Sequence, residues 1–229
     1  INTWRSTDGG TNWNIVNHWW GDGVPAVHAD KHMLKFRSNG DLFECNDGGV
    51  YFSSNNGTSW TDKTNGIVIS QMYKLGVSQS VSTETITGLQ DNGTKLFSNG
   101  TWDDVKGGDG MECLIDYTDH NIQYGTYVNG QISRTTNHWG SSTAIEPSGA
   151  GSGAWVTPYI IDPVDHNTLY AGYADVWKTT NKGNNWTKIS TINTGSKIRA
   201  MAISDSDNDV IYVSDPNDIW KTTNGGGSW

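Results

Sequence analysis

The chain has 229 residues with 12 Trp, 28 Gly and only 5 Pro, 17% of its residues are charged, and its formal net charge is −9 with a pI near 4.9. So much Trp excludes a disordered chain or a coiled coil, and an apolar fraction of 34% pinned by large aromatics suits short strands rather than long helices. The acidic balance with dispersed Lys and Arg disfavours nucleic-acid binding, which needs a positive patch, and no apolar run approaches the roughly eighteen residues of a membrane span.

In chain order the first pattern is Ser6, Asp8, Gly10 and Trp13, which write [ST]-x-[DN]-x-G-x-x-W. It returns as Ser53, Asn55, Gly57 and Trp60, then shortened at Ser98, Asn99, Gly100 and Trp102, and decayed at Thr135, Asn137 and Trp139. Full copies close the series at Thr179, Asn181, Gly183 and Trp186 and at Thr222, Asn224, Gly226 and Trp229. A period of roughly 40 to 45 residues with several strands per unit is that of a propeller blade. The blades expected are 24–64, 67–105, 109–145, 153–190 and 196–229, with a partial blade over 1–16. Within the fourth, alternation predicts strands over 155–161, 168–173, 175–179 and 186–189, the box turning the third strand into the fourth. The fold class is therefore all-β, a β-propeller of four-stranded antiparallel blades. The chain opens at Ile1 without an initiator Met or leader, and residues 1–13 and 217–229 are the same part of a blade, so a portion of a larger propeller is expected.

The box residues have structural work. Asp8, Asn55, Asn181 and Asn224 accept backbone N–H groups of their own turns, the Gly supplies a positive φ, and Trp13, Trp60, Trp186 and Trp229 bury area between neighbouring sheets. Asp205, Asp207 and Asp209 mimic the start of a calcium loop, but Val210 stands where the sharp-turn Gly belongs. The loops at Asp116, Asp119, His120 and at Asp162, Asp165, His166 identify this stretch as a repeated strand connection. Cys45 and Cys113 cannot form a disulfide framework, and their neighbours favour buried thiols while leaving open whether they pair.

The repeats resemble the Asp-box (BNR) repeats of sialidases, of xyloglucanase-type two-propeller glycoside hydrolases and of sortilin-type receptor domains. Segments such as Asn46–Tyr51, Gly88–Thr94 and Gly107–Gly110 further resemble secreted bacterial proteins with sortilin-like propellers. The resemblance covers the whole chain and implies a fold shared by enzymes and binders, with an extracellular location.

Antiparallel order puts the entry to each first strand and the turn between second and third strands at the end of the blade opposite the boxes. That end collects Asp22, His28, Asp30, Asp47, Asp91 and Asp109. Aligning the first strands on Phe36, Val77, Ile115, Ile161 and Ile203 predicts a ring at the channel mouth. It holds Asp30, Gln71, Asp109, Trp155 and Lys197, then His32, Tyr73, Met111, Thr157 and Arg199. His28, Asp30 and His32 alternate, so on a strand they would leave one face and could hold a metal ion with Asp47, or merely line a wet channel. Asp30, Asp47, Asp91 and Asp109 are the candidates for a hydrolytic carboxylate pair, or else for capping turns. Trp19, Trp20, Tyr73, Trp155 and Arg199 are the candidate ligand contacts. Sialidase chemistry is not expected, because Arg5, Arg37, Arg134 and Arg199 are the only arginines and only Arg199 lies near the mouth. These readings make the chain an extracellular binding or scaffold module for polysaccharide or protein, with no cofactor beyond that candidate metal. A xyloglucanase-like glycoside hydrolase is the alternative.

Overall fold

The computed structural model describes residues 2–67, 70–192 and 195–229, and the chain separates into two compact units, Ile1–Ser70 and Gln71–Trp229. In the first unit β1 (Thr3–Arg5) pairs with β2 (Asn14–Asn17), and β3 (Lys31–Phe36), β4 (Leu42–Asn46), β5 (Gly49–Ser53) and β6 (Thr61–Asp62) form an antiparallel sheet in chain order. The second unit repeats that plan: β7 (Met72–Val77), β8 (Thr85–Leu89), β9 (Gly93–Ser98) and β10 (Thr101–Lys106) make one sheet. Next come β11 (Cys113–Ile115), β12 (Gln123–Tyr127), β13 (Gln131–Thr135) and β14 (Thr143–Ala144), then β15 (Tyr159–Ile161), β16 (Leu169–Gly172), β17 (Val176–Thr179) and β18 (Thr187–Lys188). A three-stranded sheet of β19 (Ala200–Ser204), β20 (Asp207–Ser214) and β21 (Ile219–Thr222) closes the order. The chain is all-β and built of propeller blades. No helix among the described residues is long and apolar enough to cross a membrane.

In the second unit the core lies between consecutive sheets, not within one. Tyr124, Ile132, Ile145, Tyr159, Leu169 and Tyr173 fill the space between the β11–β14 and β15–β18 sheets, and Tyr170, Val176, Ile198, Ile211 and Val213 the next. Each fully buried large side chain contributes roughly 1.5–3 kcal/mol. The Tyr124 hydroxyl is buried without a hydrogen-bond partner among the described residues, but the phenols of two other core tyrosines find carbonyl acceptors. Tyr159 donates to the carbonyl of Glu112 at 2.9 Å and Tyr173 to that of Gly130 at 2.5 Å, so each tyrosine ties one sheet to the one before.

Glycine sets the closest approach. A Cβ on Gly88 would lie 2.0 Å from the carbonyl oxygen of Met111, so β8 and the entry to β11 meet backbone to backbone. Met111 is consequently sealed, as is Thr157 beneath Gly153; both are 0% exposed, correcting the expectation that they ring a channel mouth.

The boxes are hydrogen-bonded turns. Ser53 Oγ accepts the Gly57 N–H at 2.8 Å and donates to Asn55 Oδ1, which accepts the Ser59 N–H at 2.9 Å. Thr179 and Asn181, and Thr222 and Asn224, repeat these bonds, and Asp8 accepts the Asn12 N–H at 2.9 Å. These donors, the Asn12 N–H foremost, hold the Asp8 carboxyl down at about 2. Trp186 and Trp229 donate to the carbonyls of Ile145 and Ile189 in the preceding sheet, whereas Trp13 is 58% exposed and buries little. Cys45 and Cys113 are both free, and burial pushes the Cys113 thiol far up.

Candidate functional site

Each unit carries candidate residues at the blade end away from the boxes. In the first unit Lys31 begins β3, and its first pairing is Lys31 with Asn46, followed directly by Met33 with Cys45. His32 therefore sits in a β-bulge, a device that re-aims a side chain. Its Nε2 lies 2.5 Å from Asp47 Oδ1.

The strand geometry expected for His28, Asp30 and His32 is not found. His28 and Asp30 precede β3, and Asp30 has a φ of +52°, so the three side chains do not leave one face of a strand. The fixed positive charge at this corner is an ammonium: Lys31 Nζ lies 2.6 Å from the buried Glu44 and donates to the carbonyls of Val27 and His28. Thr3 and Asn17 complete the shell around Glu44 at 2.6 and 3.0 Å. Carboxylate oxygens of Asp30 and Asp47 lie within 4.8 Å of each other. Trp19 and Trp20, each at least half exposed, pack edge to face at 4.4 Å between centroids, and Trp20 packs on His18 at 3.9 Å.

The second unit repeats the bulge at the same station. Met72 pairs with Leu89 and Lys74 with Gly88, which leaves Tyr73 as the extra residue of β7. Its hydroxyl donates to Gln90 Oε1 at 2.6 Å and accepts the indole N–H of Trp155 at 3.2 Å. Two ring residues 82 positions apart are thus joined, with Trp155 46% exposed. The Trp155 backbone is held too: its carbonyl accepts the Asn129 N–H at 3.2 Å, and Gly153 donates to the Asn129 carbonyl at 2.8 Å.

Asp109 is employed as a turn cap. Its Oδ1 accepts the Asp91 N–H at 2.9 Å, where Asp91 adopts a φ of +59°, and Gly93 and Gly110 bond the same pair of loops through their backbones. Arg199 is exposed. Arg134 is engaged at the box end, on the Lys182 carbonyl and Asn184 Oδ1, and in the first unit Arg5 donates to the Asn56 carbonyl.

Sequence reasoning missed Glu112. It lies immediately before β11, 3.6 Å from Lys74, and burial raises its carboxyl above the ordinary range despite the opposing ammonium. It also missed Glu84, His120 and His138, which meet at the box end: the buried Glu84 Oε2 lies 3.1 Å from His120 Nδ1 and 3.0 Å from His138 Nε2. The signal in both cases was register, since adjacent sheets place equivalent connections side by side.

No protein-family model matches the chain, and no curated protein matches it in sequence. Among solved structures it is similar to the GH74 xyloglucanase from Xanthomonas campestris, with 14% identity and a TM-score of 0.56 over 82% of this chain and 36% of that one. An ancestral GH74 enzyme shows 17% identity and a TM-score of 0.53 over 86% of this chain and 31% of the other. YCF48 bound to D1 peptide shows 13% identity and a TM-score of 0.50 over 96% of this chain and 71% of that one. The chain spans about a third of the length of these GH74 structures, and the likeness is one of fold.

Proposed function

We propose that the chain is an extracellular binding module that engages polysaccharide at the blade end opposite the boxes. The carrying observation is the Trp155–Tyr73–Gln90 chain. Its hydrogen bonds fix the edge of an exposed indole, and a fixed aromatic face beside amide and hydroxyl groups suits stacking against a sugar ring with little entropy lost on binding. Trp19 and Trp20 offer the first unit a second aromatic platform. Neighbours of both kinds support a ligand role for such blades, one named for xyloglucan hydrolysis and one bound to a peptide.

A second reading, glycoside hydrolysis, is favoured by one observation only. The oxygens of Asp30 and Asp47 lie within 4.8 Å, nearer the spacing of about 5–5.5 Å used by retaining enzymes than the wider spacing of inverting ones. The test is a polysaccharide panel assayed for both retention and reducing-end release. Binding that falls in Trp155→Ala with no release of sugar supports the module; release that disappears in Asp47→Asn replaces it with the hydrolase.

A further inference from the structure

At the box end of the second unit, consecutive sheets are pinned by a repeated device. A buried carboxylate on one sheet receives a side chain from the first-to-second strand connection of the next sheet, or from the start of its second strand, and, in two of three stations, another from its box. Asp116 receives His166 Nδ1 at 2.9 Å and Lys182 Nζ at 2.6 Å, and the side-chain amide of Asn208 donates to Asp162, its Nδ2 lying 3.0 and 2.9 Å from the two carboxylate oxygens. The remaining station is Glu84 with His120 and His138. There the lysine of the Asp116 station is replaced by a second imidazole.

The box at this station also departs from the others. Trp139 donates its N–H to Thr135 Oγ1 at 2.9 Å, the bond that Gly57, Gly183 and Gly226 make in their own boxes. A tryptophan therefore occupies the glycine place, with a φ of +65°. Such backbone is unfavourable for a bulky L-residue and persists where the surroundings over-determine it. What the displaced indole gains is definite: Trp139 Nε1 donates to Gln123 Oε1 at 2.8 Å, and Gln123 Nε2 donates to Glu84 Oε1 at 2.8 Å. The strained box thus orients the carboxylate that faces the two histidines.

From this arrangement we infer a binding site for a divalent transition metal, zinc being the best match, held by Glu84 Oε2, His120 Nδ1 and His138 Nε2. Two imidazoles and one carboxylate are a zinc donor set, and tetrahedral bonds of about 2.0–2.1 Å place ligand atoms about 3.3 Å apart. The two separations, 3.1 and 3.0 Å, need to open only slightly, and all three donor atoms lie within 4.8 Å of one another. Glu84 is 1% exposed while the histidine side chains are 35% and 28% exposed, so the ion enters from the solvent side, where water takes the fourth position. Each ring exchanges a hydrogen bond to Glu84 for a bond to the metal and carries its proton on the other nitrogen. Gln123 and Trp139 supply the outer shell that such sites need. The ion would join the second and third four-stranded sheets of the chain, as Lys182 joins the next pair.

The test uses the untagged chain, stripped with a chelator and titrated with zinc chloride. The expected result is one zinc per chain after gel filtration, a rise in melting temperature, and at least a tenfold loss of affinity in His120→Asn or His138→Asn. Asparagine stands at corresponding stations as Asn208 and, in the first unit's box, Asn56, so the fold should accept both changes. His166→Asn should leave zinc binding unchanged. If the variants do not fold, cobalt(II) added to the wild-type chain decides: tetrahedral cobalt absorption supports the site, and its absence at saturating cobalt overturns it. Less than about a tenth of an equivalent of zinc on the wild-type chain, or undiminished binding by the double variant, also overturns it.

Discussion

The two ends of the same blades in the second unit are built on different terms. At the box end polar side chains turn inward: Asp116, Asp162 and Glu84 are all buried, and each is met by donors from the next sheet. At the opposite end the arrangements differ from blade to blade: Asp109 caps the Asp91 turn, buried Asp175 accepts from Ser190 and the Ile192 N–H of its own blade, and half-exposed Trp155 leans on Tyr73. Repetition therefore marks the end that holds the sheets together, and irregularity marks the end that is free to vary. The exception at the box end, where Trp139 replaces a glycine, is informative because it breaks a rule that Gly57, Gly183 and Gly226 keep.

This contrast can be attacked from either end. The largest effect should come from Lys182→Met, which leaves Asp116 buried without its ammonium, though still bonded by His166 and Thr118; a loss of about 2 kcal/mol is expected by chemical denaturation. The same variant sharpens the acid response. Burial opposes ionisation of Asp116, but the bonds from Lys182, His166 and Thr118 outweigh it and set its carboxyl below the usual carboxylate value. A lowered folded-state value gives stability that is present above the unfolded value of about 3.9 and lost as pH falls through the folded one. Melting temperature followed from pH 5 downward should accordingly fall less steeply in Lys182→Met than in the wild-type chain.

Next in size is Thr179→Ala, which strips the acceptor for the Gly183 N–H from an intact box and should cost about 1 kcal/mol. Glu112→Gln should act in the opposite sense. Burial raises the Glu112 carboxyl, so ionised Glu112 is unfavourable in the folded chain, and its contribution is lost as pH rises through that raised value. A gain of roughly 0.5 kcal/mol near pH 7, vanishing near pH 4, is expected from paired unfolding curves at the two pH values. Smallest of all is the stability change of Trp155→Ala, within about 0.5 kcal/mol, because an indole 46% exposed contributes little packing. A loss above about 2 kcal/mol there would erase the distinction between the two ends.

Much of the fold could be read from the chain. The aligned apolar residues Phe36, Val77, Ile115 and Ile161 are the last residues of β3, β7, β11 and β15, and Ile203 is the penultimate residue of β19. Strand period and box spacing fix those positions, although Phe36 and Val77 are 60% and 53% exposed, so burial is not what sets the register of β3 and β7. The bulges at His32 and Tyr73 were not legible, because a period of two carries no mark for an inserted residue. Nor was the burial of Met111 and Thr157, which depends on glycines at Gly88 and Gly153 admitting close backbone or side-chain approach. Tyr73 and Trp155 were both placed near first-strand entries, but their hydrogen bond was not foreseen, and Glu84, His120 and His138 were hidden by distribution over 54 residues and three connections. The decayed box at Thr135–Trp139 was the visible trace of that second cluster.

The central claim is that the exposed indole of Trp155, fixed by Tyr73, is a ligand platform rather than a packing element. Calorimetric titration of the wild-type chain, Trp155→Ala and Thr179→Ala with soluble xyloglucan and a panel of other neutral polysaccharides tests it most directly. The account predicts saturable binding by the wild-type chain to at least one polysaccharide, at least a tenfold loss in Trp155→Ala, and unchanged affinity in Thr179→Ala below its melting temperature. Equal affinity in wild type and Trp155→Ala, or no binding across the panel, would contradict it.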